Sequence, residues 1–263
     1  MKIGFVGLGA VVETAYLPAL RALAPEMAIW GFDPARSLPG VDSLPTLAAL
    51  LALPLLLALR LPPPPPKVVA GDARPLGQIA RTPQFIVAAA AGVVTYGLMA
   101  FLMTAAPMAM VGCGHSVGEA ALGIQWHVLA MFGPSFFTGR LIGRFGQRKI
   151  TALGLVMIAA SGLLALMGEG LSEFWGSLIL LGVGWNFGFI GATAMLTACY
   201  TPAERTKVQA LNDFLVFGTV AIASFGSGQL LHSVGWSGIN IGMQPLVVIV
   251  LAIMAWQARK IKS

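Results

Sequence analysis

The chain has 263 residues, of which 57% are hydrophobic and only 10% charged, with a net charge of +6 and a mean hydropathy of +0.83. A soluble domain averages about 25% charged residues, so this composition excludes an ordinary soluble fold and predicts an integral membrane protein in contact with lipid. The positive balance does not point to nucleic acid, because the cations sit at the ends of apolar runs with no stacking aromatics interleaved.

The two cysteines, Cys113 and Cys199, are far apart and have no histidines at ligand spacing, which argues against a disulfide framework or a metal site. The start is not a signal peptide, since its apolar run is short and enters Gly7 and Gly9 without a cleavage pattern. Met1–Val6 reads as a buried strand, 10–23 as a helix, and Ala28–Phe32 as a second strand ending at Asp33. Gly7 permits a tight turn, Gly9 lets backbone approach a pyrophosphate, and Asp33 is placed to accept hydrogen bonds from a ribose hydroxyl. Val12 occupies the place of the fingerprint's third small residue.

The stretch Val6-Gly-Leu-Gly-Ala-Val-Val-Glu-Thr-Ala-Tyr-Leu-Pro-Ala-Leu20, with Gly31-Phe-Asp-Pro34, resembles the start of the Gfo/Idh/MocA family of NAD(P)-dependent oxidoreductases. The resemblance implies NAD(P) contacts at Gly7, Gly9 and Asp33. The family's Glu-Lys-Pro motif occurs nowhere in the chain, so no catalytic residue is identified. A single βαβ unit cannot bury both faces of its sheet, and 1–46 is read as an incomplete Rossmann-like unit.

Residues 47–83 change style. Leu47–Leu59 is almost wholly apolar but short of the roughly 20 residues needed to span a bilayer. It reads as a buried or interfacial segment, or as the remnant of a spanning helix. Five prolines, Pro62–Pro66, form a stiff linker, and a basic connector through Arg74 and Arg81 follows. The change near 47–55 has the look of a junction between two unrelated proteins.

Beyond it lie six long apolar stretches, at 84–110, 120–139, 150–168, 172–198, 209–231 and 239–257, each of spanning length. Lys67, Arg74 and Arg81 precede the first. Arg140, Arg144, Arg148 and Lys149 join the second to the third, Arg205 and Lys207 the fourth to the fifth, and the tail 259–263 carries three more cations. The alternate loops carry no Lys or Arg. The positive-inside rule therefore places both ends of this six-helix unit in the cytoplasm.

Gly139-Arg-Leu-Ile-Gly-Arg-Phe-Gly-Gln-Arg-Lys149 resembles the loop signature of the major facilitator superfamily, and Thr201-Pro-Ala-Glu-Arg205 resembles the Pro-x-x-Arg loop of the same transporters. With the helix count, residues 84–258 resemble one six-helix half. Gly143 stands where an acid is usual, which matches the C-terminal half. The expected fold is mainly α, a six-helix transmembrane half-bundle preceded by the small βαβ unit.

The resemblance implies gating roles for Gly139, Arg140, Arg144, Gly146, Arg148, Lys149, Glu204 and Arg205. Arg144 is expected to pair with Glu204 or Asp213, and the alternative is simple anchoring of cations to the inner leaflet. Polar groups within spans are costly and become candidates for solute or proton contact: Gln125, His127, Asn186, Asn212 and Asp213. For His127 the first reading is an interhelical hydrogen bond. For Asp213, near a helix start, it is an ion pair or a helix-dipole contact. Gly184 and Gly188 have the spacing of close helix packing, with a solute-lining turn as the second reading. Trp126, Trp185 and Trp236 read as packing or interface anchors.

The functional expectation is transport of a small solute by alternating access, with no cofactor needed. A site between two six-helix halves would need a second copy or a separate N-terminal half as partner. The alternatives are an NAD(P)-dependent oxidoreductase fragment and a non-functional fusion of two incomplete proteins.

Overall fold

The computed structural model describes residues 3–5, 29–31 and 73–260. The chain divides into two compact units, Met1–Pro66 and Lys67–Ser263. In the first, strands β1 (Ile3–Phe5) and β2 (Ile29–Gly31) pair in parallel, with Ile3 opposite Ile29 and Phe5 opposite Gly31. Gly7, Gly9, Asp33, the apolar segment 47–59 and the five prolines lie outside the described residues.

All the secondary structure among the described residues of the second unit is helical. After the short α1 (Leu76–Ala80), α2 runs from Pro83 to Gly112. Pro83 is tolerated at the first turn because its missing N–H has no helical partner there. Thr82 caps that turn, its hydroxyl accepting from Phe85 N at 3.3 Å. Helix α3 (Val117–Phe132) opens with a reciprocal cap: Ser116 Oγ accepts from Glu119 N, and Glu119 Oε2 accepts from Ser116 N. Helices α4 (Ser135–Phe145), α5 (Gln147–Ala165), α6 (Leu171–Thr197) and α7 (Arg205–Lys260) complete the unit.

Helices α2 and α6 form the centre. They bury Phe85, Leu98, Leu102 and Met110 on one, and Phe174, Leu178, Leu181 and Leu196 on the other. Helix α6 packs on α2, α3 and α5, while α7 packs on α2 and α5. Helices α5 and α6 meet through small residues. A Cβ on Gly154 would lie 2.6 Å from Gly184 O and would collide with the backbone nitrogen of Gly188. The Gly184–Gly188 spacing therefore serves close packing, the first of its two readings.

Three boundaries differ from the sequence expectation. The second span does not end at 139. It breaks at Gly133–Pro134, where proline has no N–H to offer, and continues as α4 to Phe145. Hence Gly139–Lys149 is not a loop. Gly139, Arg140 and Arg144 are helical, Arg148 and Lys149 already belong to α5, and Gly146 alone makes the turn, at φ 87°. One residue suffices because glycine has no Cβ to oppose that left-handed backbone. Similarly, the loop expected between the spans 209–231 and 239–257 is a single non-helical residue inside α7, Gly235, at φ 72° and ψ 177°. Finally, the helix continues through Lys260, so the basic tail is partly helical.

Among the described residues, four helices are long and apolar enough by themselves to cross a membrane: α2, α5, α6 and α7. The α3–α4 pair reaches comparable length only across its break.

Candidate functional site

The cations of the basic turn project from two helix ends. Arg140, Arg144 and Lys149 are exposed and Arg148 is half-buried. The guanidinium of Arg144 lies 5.4 Å from the ring centre of Phe145. It does not reach Glu204, and the expected pair is replaced by another. Glu204 is fully buried and binds Arg74, from the stretch before α1. Arg74 Nε donates to Oε1 at 2.8 Å, Nη2 donates to Oε2 at 2.8 Å, and the Arg74 backbone N–H donates to Oε1 at 2.9 Å. Thr201 N–H donates to Oε2 at 2.9 Å.

Arg74 Nη2 also donates to Cys199 O, and Lys207 Nζ donates to Arg74 O. The connector is thereby tied to the junction of α6 and α7. Hydrogen bonding from Arg74, then from the Thr201 N–H, holds the Glu204 carboxyl well below the usual carboxylate range, against the opposing effect of desolvation. The same bond raises Arg74.

Asp213 is exposed on α7, and its nearest polar partner is Asn212 Nδ2 at 3.4 Å. Arg205, the first residue of α7, lines a shallow cavity of about 440 Å³ with Thr197, Tyr200, Pro202 and Gln209. Gln125 is exposed on α3. The five solute or proton candidates therefore do not converge on one cavity.

Two of them have internal partners. His127 is fully buried, with Nδ1 2.7 Å from Leu178 O on α6. A carbonyl can only accept, so Nδ1 carries the proton, and Nε2 has no partner among the described residues. Asn186, also fully buried, spans the α3–α4 break. Its amide donates to Met131 O at 2.6 Å and Ser135 Oγ at 2.7 Å, and its Oδ1 accepts from Thr138 Oγ1 at 2.5 Å. Both amide hydrogens are thereby used where the helix ladder is interrupted.

Two features escaped the sequence reading. Arg74 looked like one connector cation among several. Its partner is 130 residues away, and no local pattern announces it. The other is an aromatic cluster. Trp185 and Phe189 on α6 stack with centroids 5.4 Å apart and planes at 14°. Tyr96 on α2 sets its ring edgewise to both, at 5.3 and 4.9 Å. Phe132 on α3 lies 6.0 Å from Trp185, and Phe217 on α7 lies 5.8 Å from Tyr96. The spacing of four between Trp185 and Phe189 was the available signal, since it puts both on one helix face.

This bundle of apolar helices, with small-residue packing and a basic turn at one end, belongs to the Major Facilitator Superfamily, whose family model matches residues 106–261. Among curated proteins the chain is 58% identical to the riboflavin transporter RfnT of Brucella anthropi over 233 residues, which is 87% of this chain and 58% of that protein. Two uncharacterized MFS-type transporters of Bacillus subtilis follow. YddS is 31% identical over 63% of this chain and 38% of its own length, and YdeG is 30% identical over 65% and 40%. The chain thus spans somewhat over half of the first relative and about two fifths of the others. At 87% coverage the similarity to the first cannot be confined to the spans from residue 84, and it includes the apolar segment 47–59. The chain is a membrane-integral protein by family and by its apolar helices.

Proposed function

We propose that the chain forms part of a secondary transporter that moves a small solute of the riboflavin class across a membrane by alternating access. The observation that carries this reading is the 58% identity to a riboflavin transporter over 87% of the chain. A solute site in such transporters lies between two helical bodies. The reading therefore requires a second six-helix body, in the same protein, in a separate one or as a second copy. The apolar segment 47–59 goes with the transporter part.

The cations of the α4–α5 turn, of Arg205 and Lys207, and of the end of α7 support a cytoplasmic side for that end of the bundle and for both termini, in a cell inner or plasma membrane. On this reading Arg140, Arg144, Arg148 and Lys149 anchor the turn to anionic headgroups. Arg74 and Glu204 hold the connector to the bundle as it rocks. The test is uptake of labelled riboflavin into proteoliposomes carrying the chain together with its second six-helix body. Saturable uptake above that of empty liposomes is expected, and none would overturn the reading.

A second reading concerns the first unit alone, and rests on the parallel pairing of β1 and β2. It assigns NAD(P) binding to Gly7, Gly9 and Asp33. Titration with NADH, followed by nucleotide fluorescence, decides it, and an unsaturable signal sinks it.

A further inference from the structure

We infer that the aromatic cluster of Tyr96, Phe132, Trp185, Phe189 and Phe217 is the subsite that receives the planar ring system of the solute. This inference rests on the transport reading above and assigns a place to its substrate. Three observations converge.

First, the five rings come from four helices, α2, α3, α6 and α7, so the cluster is assembled by the fold. Its arrangement is graded. Trp185 is 93% enclosed and stacks on Phe189, while Phe132 and Phe217 are 57% and 55% exposed. An enclosed floor with exposed rings beside it offers faces and edges to a further aromatic ring, at the offset or edge-on geometry that such rings prefer.

Second, the indole N–H of Trp185 is buried and has no hydrogen-bond partner among the described residues. A buried indole usually finds an acceptor, and leaving it unpaired is costly. A solute whose ring carries carbonyl or imine acceptors supplies one on displacing the side chains that enclose the indole. A plain hydrocarbon does not.

Third, a tricyclic heteroaromatic with such acceptors is the solute named for the 58% identical relative. A lipid acyl chain would also cover exposed rings but offers no acceptor to the enclosed donor, and cover by the other helical body is the outcome that the variants below separate from solute binding.

The test follows riboflavin emission, which stacking on indole quenches, as the purified chain in nanodiscs is added. Wild type is expected to quench saturably, and lumichrome, which keeps a tricyclic ring and lacks the ribityl chain, is expected to compete. Phe217→Leu, at an exposed position that folding tolerates, and Trp185→Leu should each raise Kd about tenfold, the scale of one lost aromatic pair. Trp185→Phe keeps a ring and loses the N–H, and should raise Kd about threefold. Leu163→Ala, on the exposed face of α5, should leave Kd unchanged.

Riboflavin binding that Phe217→Leu and Trp185→Leu leave unaltered would overturn the assignment. Failure of lumichrome, which keeps a tricyclic ring and lacks the ribityl chain, to compete would overturn it as well. In both cases uptake by wild-type proteoliposomes would leave the transport reading standing. Absence of both binding and uptake in wild type removes that reading and this inference together.

Discussion

Glu204 lies between two helices, outside any apolar span, yet four donors converge on its enclosed carboxylate. Because its folded-state affinity for protons is depressed, the pairing contributes stability that is complete above the ordinary carboxylate pKa of about 4.3. That contribution is lost as the pH falls toward the lower folded value. Between about pH 5 and pH 3 the wild type should therefore lose more thermal stability than Glu204→Gln, a difference read from paired melting curves. Arg74→Ala should be worse than Glu204→Gln at neutral pH, since it leaves a carboxylate enclosed and unpaired. Asn186→Leu removes three hydrogen bonds at the α3–α4 break. Interhelical bonds in lipid average about 0.6 kcal/mol, so a loss of about 1–2 kcal/mol is expected in reversible unfolding. Both Glu204 and Asn186 stand out in the sequence as polar groups beside or within apolar runs. The partner expected for Glu204 was the wrong one, because charge spacing cannot rank cations that folding brings from 130 residues away.

Among the helices, apolar length revealed where each span is, whereas its ends depended on single residues. Runs of arginine and glycine after residue 139 looked like a loop because polarity rises there. Polarity on a helix that emerges from the bilayer is nonetheless compatible with an unbroken ladder, and only Gly146 leaves it. Glycines in these helices accordingly have unequal roles. Gly154 faces the backbone of α6, so Gly154→Ala should destabilise by about 1–3 kcal/mol through overpacking. Gly139 sits in α4 with open space, nothing within 4 Å, where a Cβ would stand. Gly139→Ala should be neutral or stabilise by up to about 1 kcal/mol, because alanine is the better helix former. Denaturation of both variants in the same detergent checks the contrast, and equal effects would refute it.

At the scale of the whole molecule, the alternation of basic and uncharged ends predicts sidedness. Cys113 follows α2 at an end without Lys or Arg and is exposed, whereas Cys199 is buried near the basic end. In intact cells a membrane-impermeant maleimide should label Cys113 from outside. A cysteine placed at Arg148 in a Cys113→Ser background should react only after the cells are opened. Labelling in the reverse order would invert the topology. The superfamily was legible at this scale because it depends on the order of apolar stretches and cations, both linear properties of the chain.

By itself the sequence determined a membrane-integral, mainly helical protein of the major facilitator kind, through apolar length and the side on which cations collect. Tertiary structure alone decided which groups meet. Arg74 takes Glu204, Asn186 closes a broken helix, and rings from four helices form one cluster. The physical reason is that bilayer insertion responds to each segment's own composition, whereas hydrogen bonds and ring contacts form over a few ångströms. Only packing brings residues far apart in the chain to that distance.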